Sequence, residues 1–407
     1  MTTSLGISAD QFEQEGAGHT AREIVQQPTV WRETGEKVRS YREDADAFLR
    51  PLLEKRDLRV VLTGAGTSAF VGEILASALS RKLERRVDAV ATTDIVSNPN
   101  EYFAEDRPTL LVSFARSGNS PESVAATELA DQCLSECHHL VFTCDSTGRL
   151  YNDHSGTDRS LALLMPEATN DQGFAMTSSF TSMILSAWLI LGNSEPEDLV
   201  ERLATAAERL LSTRSEDIQG LASSGYERVI YLGSGPLKGL AHESALKMLE
   251  LTAGAIVTSF ESPMGFRHGP KSILNERTLA IVYVSEDPYT QRYDLDLLSE
   301  LQQSMRPGSL IALTASPDSV TDSVSDSVSS DEHSVWGLGG LEGVEDPELA
   351  IPSVLVAQLL GLYSSLALGL TPDNPFPDKE VNRVVEGVKI YPLQTGEESS
   401  AAKEDRR

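Results

Sequence analysis

Short apolar runs alternate with helical segments along most of this 407-residue chain. Three such runs in the first half cover residues 60–62, 109–112 and 140–143, and each is followed by a helical segment. Strands that alternate with helices are typical of a parallel sheet with helices on both faces. The pattern therefore predicts an α/β fold in which helices and a sheet form three layers.

The same pattern begins again in the second half of the chain. Residues 228–235 match residues 59–66 in register, because each run has an arginine, two aliphatic residues and a Gly-x-Gly turn in the same order. An internal duplication explains this match. We therefore predict two tandem domains, each built around a parallel sheet. The predicted bounds are a helical arm over 1–45, a first domain over 46–215, a second domain over 216–375 and a tail over 376–407.

Two further segments are assigned from composition. Residues 194–225 are predicted to carry the helices that link the two copies. The tract 316–334 repeats serine, aspartate and valine and has little apolar content, so we predict a mobile surface insertion. No stretch has the apolar length of a membrane span, and the first residues lack the features of a signal peptide. We expect a cytoplasmic protein with no membrane partner.

The overall charge of the chain limits its partners. The formal net charge is −27, and no basic stripe is visible in the sequence. Such a surface repels polyanions, so nucleic acid is not expected as a partner. The three cysteines, Cys133, Cys137 and Cys144, have no Cys-x-x-Cys spacing, and we expect neither a disulfide nor a metal site. Cys137 is followed by two histidines, but the sequence offers no matching ligand cluster.

Two loops after predicted strands are candidate anion sites. Residues 64–68 read Gly-Ala-Gly-Thr-Ser and lead into a helix, so free amides and two hydroxyls collect at its positive end. The next strand ends in a loop where Ser117 and Ser120 present hydroxyls and Pro121 suits the first helical position. Ligands of open α/β sheets bind at this edge. A rival interpretation is a dinucleotide fingerprint at 64–69 with Asp88 as ribose ligand, but it leaves the serines unexplained.

The second half contains five polar residues with a suggestive spacing. Glu243, Lys247 and Glu250 fall at positions i, i+4 and i+7 of one predicted helix, and Arg267 and His268 follow in a turn. Moving a proton between adjacent sugar carbons requires a carboxylate base, and a histidine can transfer a second proton. The alternative is an exposed ion pair between Glu243 and Lys247, which contributes about 0.2–0.5 kcal/mol.

Several separated motifs together resemble a known family. The motifs lie at residues 66–68, 116–120, 245–250 and 268–270. They resemble the tandem sugar isomerase (SIS) domain proteins, and are similar to the isomerase half of glucosamine-6-phosphate synthase. The closer match is the AgaS type, described as galactosamine-6-phosphate deaminase or tagatose-6-phosphate ketose/aldose isomerase. Further stretches that look like this type lie at 20–28, 169–178, 373–375 and 381–388.

The resemblance implies roles for individual residues. The substrate phosphate would be held by Gly66, Thr67, Ser68, Arg116, Ser117 and Ser120. Glu250 would be the base that moves a proton between two carbons, with Glu243 and Lys247 in support. His268 would open the sugar ring, and in the synthase the matching histidine comes from the neighbouring subunit. The resemblance therefore also implies a homodimer or larger oligomer with shared sites.

Two features depart from the synthase. No glutaminase domain precedes the isomerase pair, and Thr2 stands where that domain has its cysteine, so we expect that glutamine is not the nitrogen donor. A lysine near the carboxyl terminus of the synthase is unmatched, with Glu386 or a nearby residue in its place.

The implied activity is conversion of a hexosamine 6-phosphate, galactosamine 6-phosphate first, into a ketose phosphate and ammonia. No metal or organic cofactor is expected, because the substrate's own nitrogen activates the adjacent C–H bond. Two alternatives stay open: an aldose/ketose isomerase without deamination, and a sugar-phosphate sensor. A sensor would not need Glu250 and His268.

Overall fold

Two parallel sheets of five strands each form the framework of the protein, which confirms the predicted α/β class. The computed structural model describes residues 5–193, 197–324, 334–378, 381–383, 385 and 387–394. The first sheet contains β1 (Arg59–Thr63), β2 (Val87–Ala89), β3 (Thr109–Ala115), β4 (Cys137–Thr143) and β5 (Ser160–Leu164). The second contains β6 (Arg228–Gly233), β7 (Val257–Glu261), β8 (Thr278–Tyr283), β9 (Leu310–Thr314) and β10 (Ser334–Gly337).

The two sheets have the same strand order. It is β2-β1-β3-β4-β5 in the first sheet and β7-β6-β8-β9-β10 in the second, read from the edge that holds β7. Leu62 of β1 lies opposite Val112 of β3, as Leu232 of β6 lies opposite Val282 of β8. This equivalence supports the predicted duplication. The carboxyl ends of the central strands, where ligands of such sheets bind, therefore occur twice in the chain.

Helices precede, cover and connect the two sheets. Those before the first sheet are α1 (Ala9–Gln14), α2 (Gly18–Val25) and α3 (Gln27–Leu53). Those of the first half are α4 (Thr67–Lys82), α5 (Thr92–Ser97), α6 (Pro99–Tyr102), α7 (Pro121–Cys133), α8 (Arg149–His154) and α9 (Ser178–Leu191), with a 3₁₀ turn at Glu167–Thr169. The segment expected to link the copies forms one helix, α10 (Glu197–Ala222). Helix α3 runs past residue 45, where the sequence analysis ends the arm.

The second half has helices at equivalent places. They are α11 (Pro236–Leu251), α12 (Pro263–Phe266), α13 (Pro288–Ser304), α14 (Pro317–Val324) and α15 (Asp346–Ala367), with a 3₁₀ turn at Pro270–Ile273. Helix α11 follows β6 as α4 follows β1. It packs against α4 and α15, so the two halves of the chain share a core.

Helix α15 corrects one expectation from the sequence. It is long and apolar enough to cross a membrane, although no stretch was expected to approach that length. In this protein, however, 94% of its apolar segment is buried. A helix that is apolar on all sides is expected where other elements surround it. Helices α9, α10 and α11 pack against it here.

The tract 316–334 also differs from its prediction as a mobile insertion. Helix α14 covers its first part, and Val320 of that helix is fully buried. Strand β10 begins at the end of the tract and pairs in parallel with β9. Val320 packs in one core cluster with residues of β6, β8 and β9, which binds α14 to the second sheet despite the low apolar content of the tract. Residues 325–333 lie outside the described residues.

Candidate active site

The start of helix α4 forms one side of the site. Gly66 precedes the helix with a φ of +55°, a conformation that glycine adopts readily, and Gly235 repeats it with +54° before α11. A Cβ on Gly64 would lie 2.5 Å from the backbone carbon of Ser68, so this tight turn needs glycine. The turn directs the first amides of α4 towards the strand ends. Thr67 and Ser68 are nearly buried there.

The loop between β3 and α7 forms the other side. Arg116 is only 7% exposed, and Gly118 has a φ of +65° that turns the chain. Ser120 occupies the N-cap position and Pro121 the first helical position, as the sequence predicts. The Ser120 hydroxyl bonds to the hydroxyl of Ser123 at 2.7 Å and makes no bond to the helix backbone.

A small cavity lies between these two loops. Its volume is about 110 Å³. Its polar lining consists of Ser68, Arg116, Ser117, Ser120, Ser123 and Arg383, and none of the described residues that line it is acidic. In a chain with 61 acidic residues, this is a local reversal of charge. Two guanidinium groups, four hydroxyls and the starts of two helices are suited to a phosphate group.

The structure therefore brings together most of the residues expected to bind phosphate. Sequence reasoning missed Ser123 and Arg383. Ser123 could have been found, because it lies one helical turn after Ser120. Arg383 lies in the stretch 381–388, one of those that resemble the known family, but its sequence gives no indication that it contacts the first half of the chain.

Two of the three charged residues of α11, Glu243 and Lys247, are buried, so the exposed ion pair considered from the sequence is wrong. Glu243 and Lys247 are fully buried, and the Glu250 side chain keeps 24% exposure. Lys247 Nζ lies 2.5 Å from Glu250 Oε2 and 3.4 Å from Glu243 Oε1. The second contact is an ion pair without hydrogen-bond geometry, and both Glu243 oxygens lack a hydrogen bond to the described residues.

Burial and neighbouring charges change the pKa values of Glu243 and Lys247. Removal from water raises the pKa of Glu243 to about 8, against the opposing charge of Lys247 and with a further increase from Glu250. Burial also disfavours the charged form of Lys247 and so lowers its pKa. The nearby carboxyls of Glu243 and Glu250 outweigh this effect of burial and hold the pKa of Lys247 above its ordinary value. Near neutral pH, the expected state is an ammonium beside a neutral Glu243.

One hydrogen bond joins this charged group to the phosphate-binding side. Lys247 Nζ donates to Thr67 Oγ1 at 3.0 Å, although the two residues are 180 positions apart. Thr67 is followed directly by Ser68, which lines the cavity. The anion cavity of the first half and the charged helix of the second half therefore meet at the start of α4.

His268 and Arg267 are set apart from this group. His268 is exposed in the turn after α12, and within the described part of the chain no hydrogen bond or ion pair joins it to α11. Arg267 Nε donates to Glu300 at 2.8 Å, which holds it on α13. Glu386, expected near the site, lies outside the described residues.

The dinucleotide alternative finds no support in the position of Asp88. Its Oδ2 accepts from Arg59 Nε at 2.7 Å, and its Oδ1 accepts from Arg86 Nε at 2.9 Å. Both carboxylate oxygens are therefore engaged by arginines, which leaves this residue poorly suited to bind a ribose.

The cysteine and histidine pair on β4 has a partner that sequence reasoning missed. Asp131, Cys137 and His139 have ligand atoms within 4.8 Å of one another. His139 Nε2 bonds to Asp131 Oδ1 at 2.9 Å, and burial raises the pKa of the Cys137 thiol. A thiol that resists ionisation is a poor metal ligand. This group belongs to the packing between β4 and α7.

The fold and the two-sided site place the protein in a class of sugar-phosphate proteins, and comparison with known proteins agrees. A model of the SIS domain matches residues 52–191. The chain is 56% identical to a Streptomyces coelicolor protein, over 93% of this chain and 97% of that one. It is 44% identical to the D-galactosamine-6-phosphate deaminase AgaS of Shewanella sp. strain ANA-3, over 96% of each.

A solved structure gives the same relationship. The tagatose-6-phosphate ketose/aldose isomerase of Escherichia coli superposes with a TM-score of 0.83 and 40% identity, over 92% of this chain and 97% of that one. The chain therefore belongs to the AgaS family of SIS-domain proteins. The resemblance found from separated motifs is confirmed at this level.

Proposed function

We propose that this enzyme converts galactosamine 6-phosphate, or a closely related hexosamine 6-phosphate, into a ketose phosphate and ammonia. One relative is named as a D-galactosamine-6-phosphate deaminase and another as a tagatose-6-phosphate ketose/aldose isomerase. The observation that carries the proposal is the contact between Lys247 and Thr67. It supports a single site in which a phosphate lies between the loops while the other end of the sugar faces Glu250.

The proposed chemistry uses the open-chain sugar. Glu250 removes the proton from C2 of the amino aldehyde, which gives an enolate with the amine on C2 and the negative charge on O1. The same proton, now on Glu250, returns to C1, and a proton passes from the nitrogen to O1, which leaves a hydroxyl on C1 and an imine at C2. Water then adds to C2, ammonia leaves, and the product is the 2-ketose phosphate. The substrate nitrogen supplies the activation, so the proposed reaction uses no metal or organic cofactor.

Lys247 and Glu243 are proposed to support this base. The ammonium of Lys247 lies 2.5 Å from Glu250, where it holds the carboxyl group in place and can stabilise negative charge on the enolate oxygen. Because the pKa of Glu243 is about 8, its carboxyl is protonated near neutral pH and does not compete with Glu250 for the Lys247 ammonium. Ion pairs that fix a reacting group in a buried site are typical of catalytic centres.

His268 is proposed to open the sugar ring in the site of a second copy of the chain. It is exposed, and it is not bonded to α11 in its own chain. Leu249, next to Glu250, and Met264, in the helix before His268, are each 45% exposed. Exposed apolar side chains beside catalytic groups favour cover by another subunit. We accordingly propose a homodimer with shared sites, in the cytoplasm.

The test is ammonia release from the purified protein. The substrates are galactosamine 6-phosphate, glucosamine 6-phosphate and their N-acetyl forms. The proposal expects ammonia from galactosamine 6-phosphate at the highest rate. Conversion of tagatose 6-phosphate without ammonia from any amino sugar would instead favour the plain isomerase. Tight binding of sugar phosphates with no turnover of any would favour a sensor.

A further inference from the structure

Arg383 reaches the phosphate cavity from the far end of the chain. It lines the cavity together with Arg116, although 267 positions separate the two. We propose that Arg383 is a second phosphate-binding cation and makes the site selective for 6-phosphorylated sugars over the free sugars. The proposal rests on the proposed function for the identity of the sugar, but phosphate recognition can be tested without it.

Backbone contacts hold both arginines at the cavity. Arg116 Nη2 donates to the carbonyl of Arg383 at 3.1 Å, and Arg116 Nη1 donates to the carbonyl of Phe174 at 3.5 Å. Arg383 Nη2 donates in turn to the carbonyl of Asp171. Carbonyl oxygens orient a guanidinium without neutralising its charge. Each arginine therefore keeps most of its donors for a ligand.

The carbonyl that Arg383 uses is itself firmly placed. The Asp171 side chain is fully buried and accepts from the amides of Thr177 at 2.8 Å and Ser179 at 2.9 Å, at the start of α9. A buried carboxylate with several backbone donors is a rigid anchor. Arg383 is thus positioned by a fixed part of the first domain.

The electrostatics of the cavity favour an anionic ligand. Burial, together with the nearby charge of Arg116, lowers the pKa of Arg383 from its ordinary value, and the opposing effects of Glu23 and Asp171 offset this only in part. The two guanidinium groups that line the cavity therefore repel each other. A phosphate dianion would compensate both charges, through the paired donors that arginine offers to phosphate oxygens.

The equivalent edge of the second sheet provides a comparison. Its cavity has a volume of about 440 Å³ and is lined by Glu286, Asp287, Glu345 and Asp346, with Arg81 as its one basic residue. Such a lining repels phosphate. The pair of arginines is therefore a particular property of the first cavity and does not follow from the repeated fold.

The test uses inorganic phosphate and sugar substrates with Arg383→Gln and Arg383→Lys. We expect calorimetry to show phosphate binding weakened by roughly tenfold to a hundredfold in Arg383→Gln, as for loss of a charge-assisted hydrogen bond. KM for galactosamine 6-phosphate should rise by a similar factor, with kcat changed much less. Activity on unphosphorylated galactosamine should be unaffected. Arg383→Lys should be intermediate, because it keeps the charge and loses the paired donors.

Arg277→Gln is the matched control. Arg277 is exposed and also donates to a backbone carbonyl, that of Gly225, but away from the cavity. It should bind phosphate as the wild type does. Equal phosphate affinity in Arg383→Gln and wild type would overturn the proposal, as would an equal loss of activity on phosphorylated and free sugar. The proposed function fails separately, if wild-type protein binds phosphate but releases no ammonia.

Discussion

Lys247 contacts two carboxyl groups within one stretch of α11, and one ammonium can neutralise only one carboxylate. The nearer partner is Glu250 at 2.5 Å, while Glu243 lies at 3.4 Å and is fully buried. Burial raises the pKa of Glu243 to about 8, so this carboxyl is protonated near neutral pH and the ammonium pairs with Glu250. Protonation of Glu243 keeps a second buried carboxylate out of the site.

Protonation of Glu243 makes stability depend on pH in a defined direction. Its pKa is raised from 4.5 to about 8, so between these values the folded protein keeps a proton that the unfolded chain has released. The free energy of unfolding contributed by this group falls as pH rises through that window. Glutamine at position 243 cannot release a proton. When pH rises from 6 to 8, the free energy of unfolding of Glu243→Gln should therefore fall by up to about 2 kcal/mol less than that of the wild type.

Denaturant unfolding at the two pH values measures this difference. Glu276→Gln changes an exposed glutamate and should follow the wild-type pH dependence. Parallel curves for wild type and Glu243→Gln would mean that Glu243 is ionised in the folded protein. The assigned protonation states would then be wrong.

The close approach of α11 to α4 sets the geometry of the site at the scale of elements. Gly239 lies in the first turn of α11, and a Cβ there would be 2.8 Å from the backbone nitrogen of Ile74 and 2.9 Å from the backbone carbon of Glu73. Backbone atoms of α4 cannot rotate away. The two helices can therefore lie this close only because residue 239 has no side chain.

Gly239→Ala should force the two helices apart. We expect a loss of about 1–3 kcal/mol in stability, as for other overpacked sites. We also expect at least a tenfold lower kcat/KM, since Lys247 and Thr67 would separate. Gly220→Ala in α10 is the control, because its Cβ would meet nothing within 4 Å. That variant should gain about 0.5–1 kcal/mol through higher helix propensity and keep its activity. Equal behaviour of the two variants would contradict the packing argument.

At the scale of the whole molecule, the two halves contribute different parts of the proposed site. The first half supplies most of the lining of the small cavity, Arg383 is added from the end of the chain, and the second half supplies Glu250 on α11. The exposed His268 extends this division to a second chain, as proposed. A duplicated fold can specialise in this way because each copy keeps the same strand order while its loops change.

Subunit mixing tests the sharing of sites. Glu250→Gln and His268→Ala should each be inactive alone. In a mixed dimer, one site combines the intact Glu250 of one subunit with the intact His268 of the other. Random pairing should therefore restore about a quarter of wild-type activity. Mixtures that stay inactive although mixed dimers form would show that each site lies within one chain.

Much of this account could be predicted from the sequence, because strand alternation, the repeated Gly-x-Gly turn and the helical spacing of Glu243, Lys247 and Glu250 are local patterns. Burial could not be read in this way. The same spacing describes an exposed ion pair, and only packing against α4 and α15 removes these side chains from water. The stretch that contains Arg383 resembles the family, but its contact across 267 positions cannot be derived from local spacing.

The proposed role of Glu250 as the proton-transferring base is tested most directly by turnover and binding in Glu250→Gln. Ammonia release from galactosamine 6-phosphate and calorimetric binding of the same sugar should be measured side by side, with Glu276→Gln as control. We predict that Glu250→Gln loses turnover by roughly 10²–10⁴-fold, as for removal of a general base, while its affinity for the sugar stays within a few-fold of wild type. Turnover that persists in Glu250→Gln, or turnover and binding lost together, would contradict the role of Glu250 as the proton-transferring base.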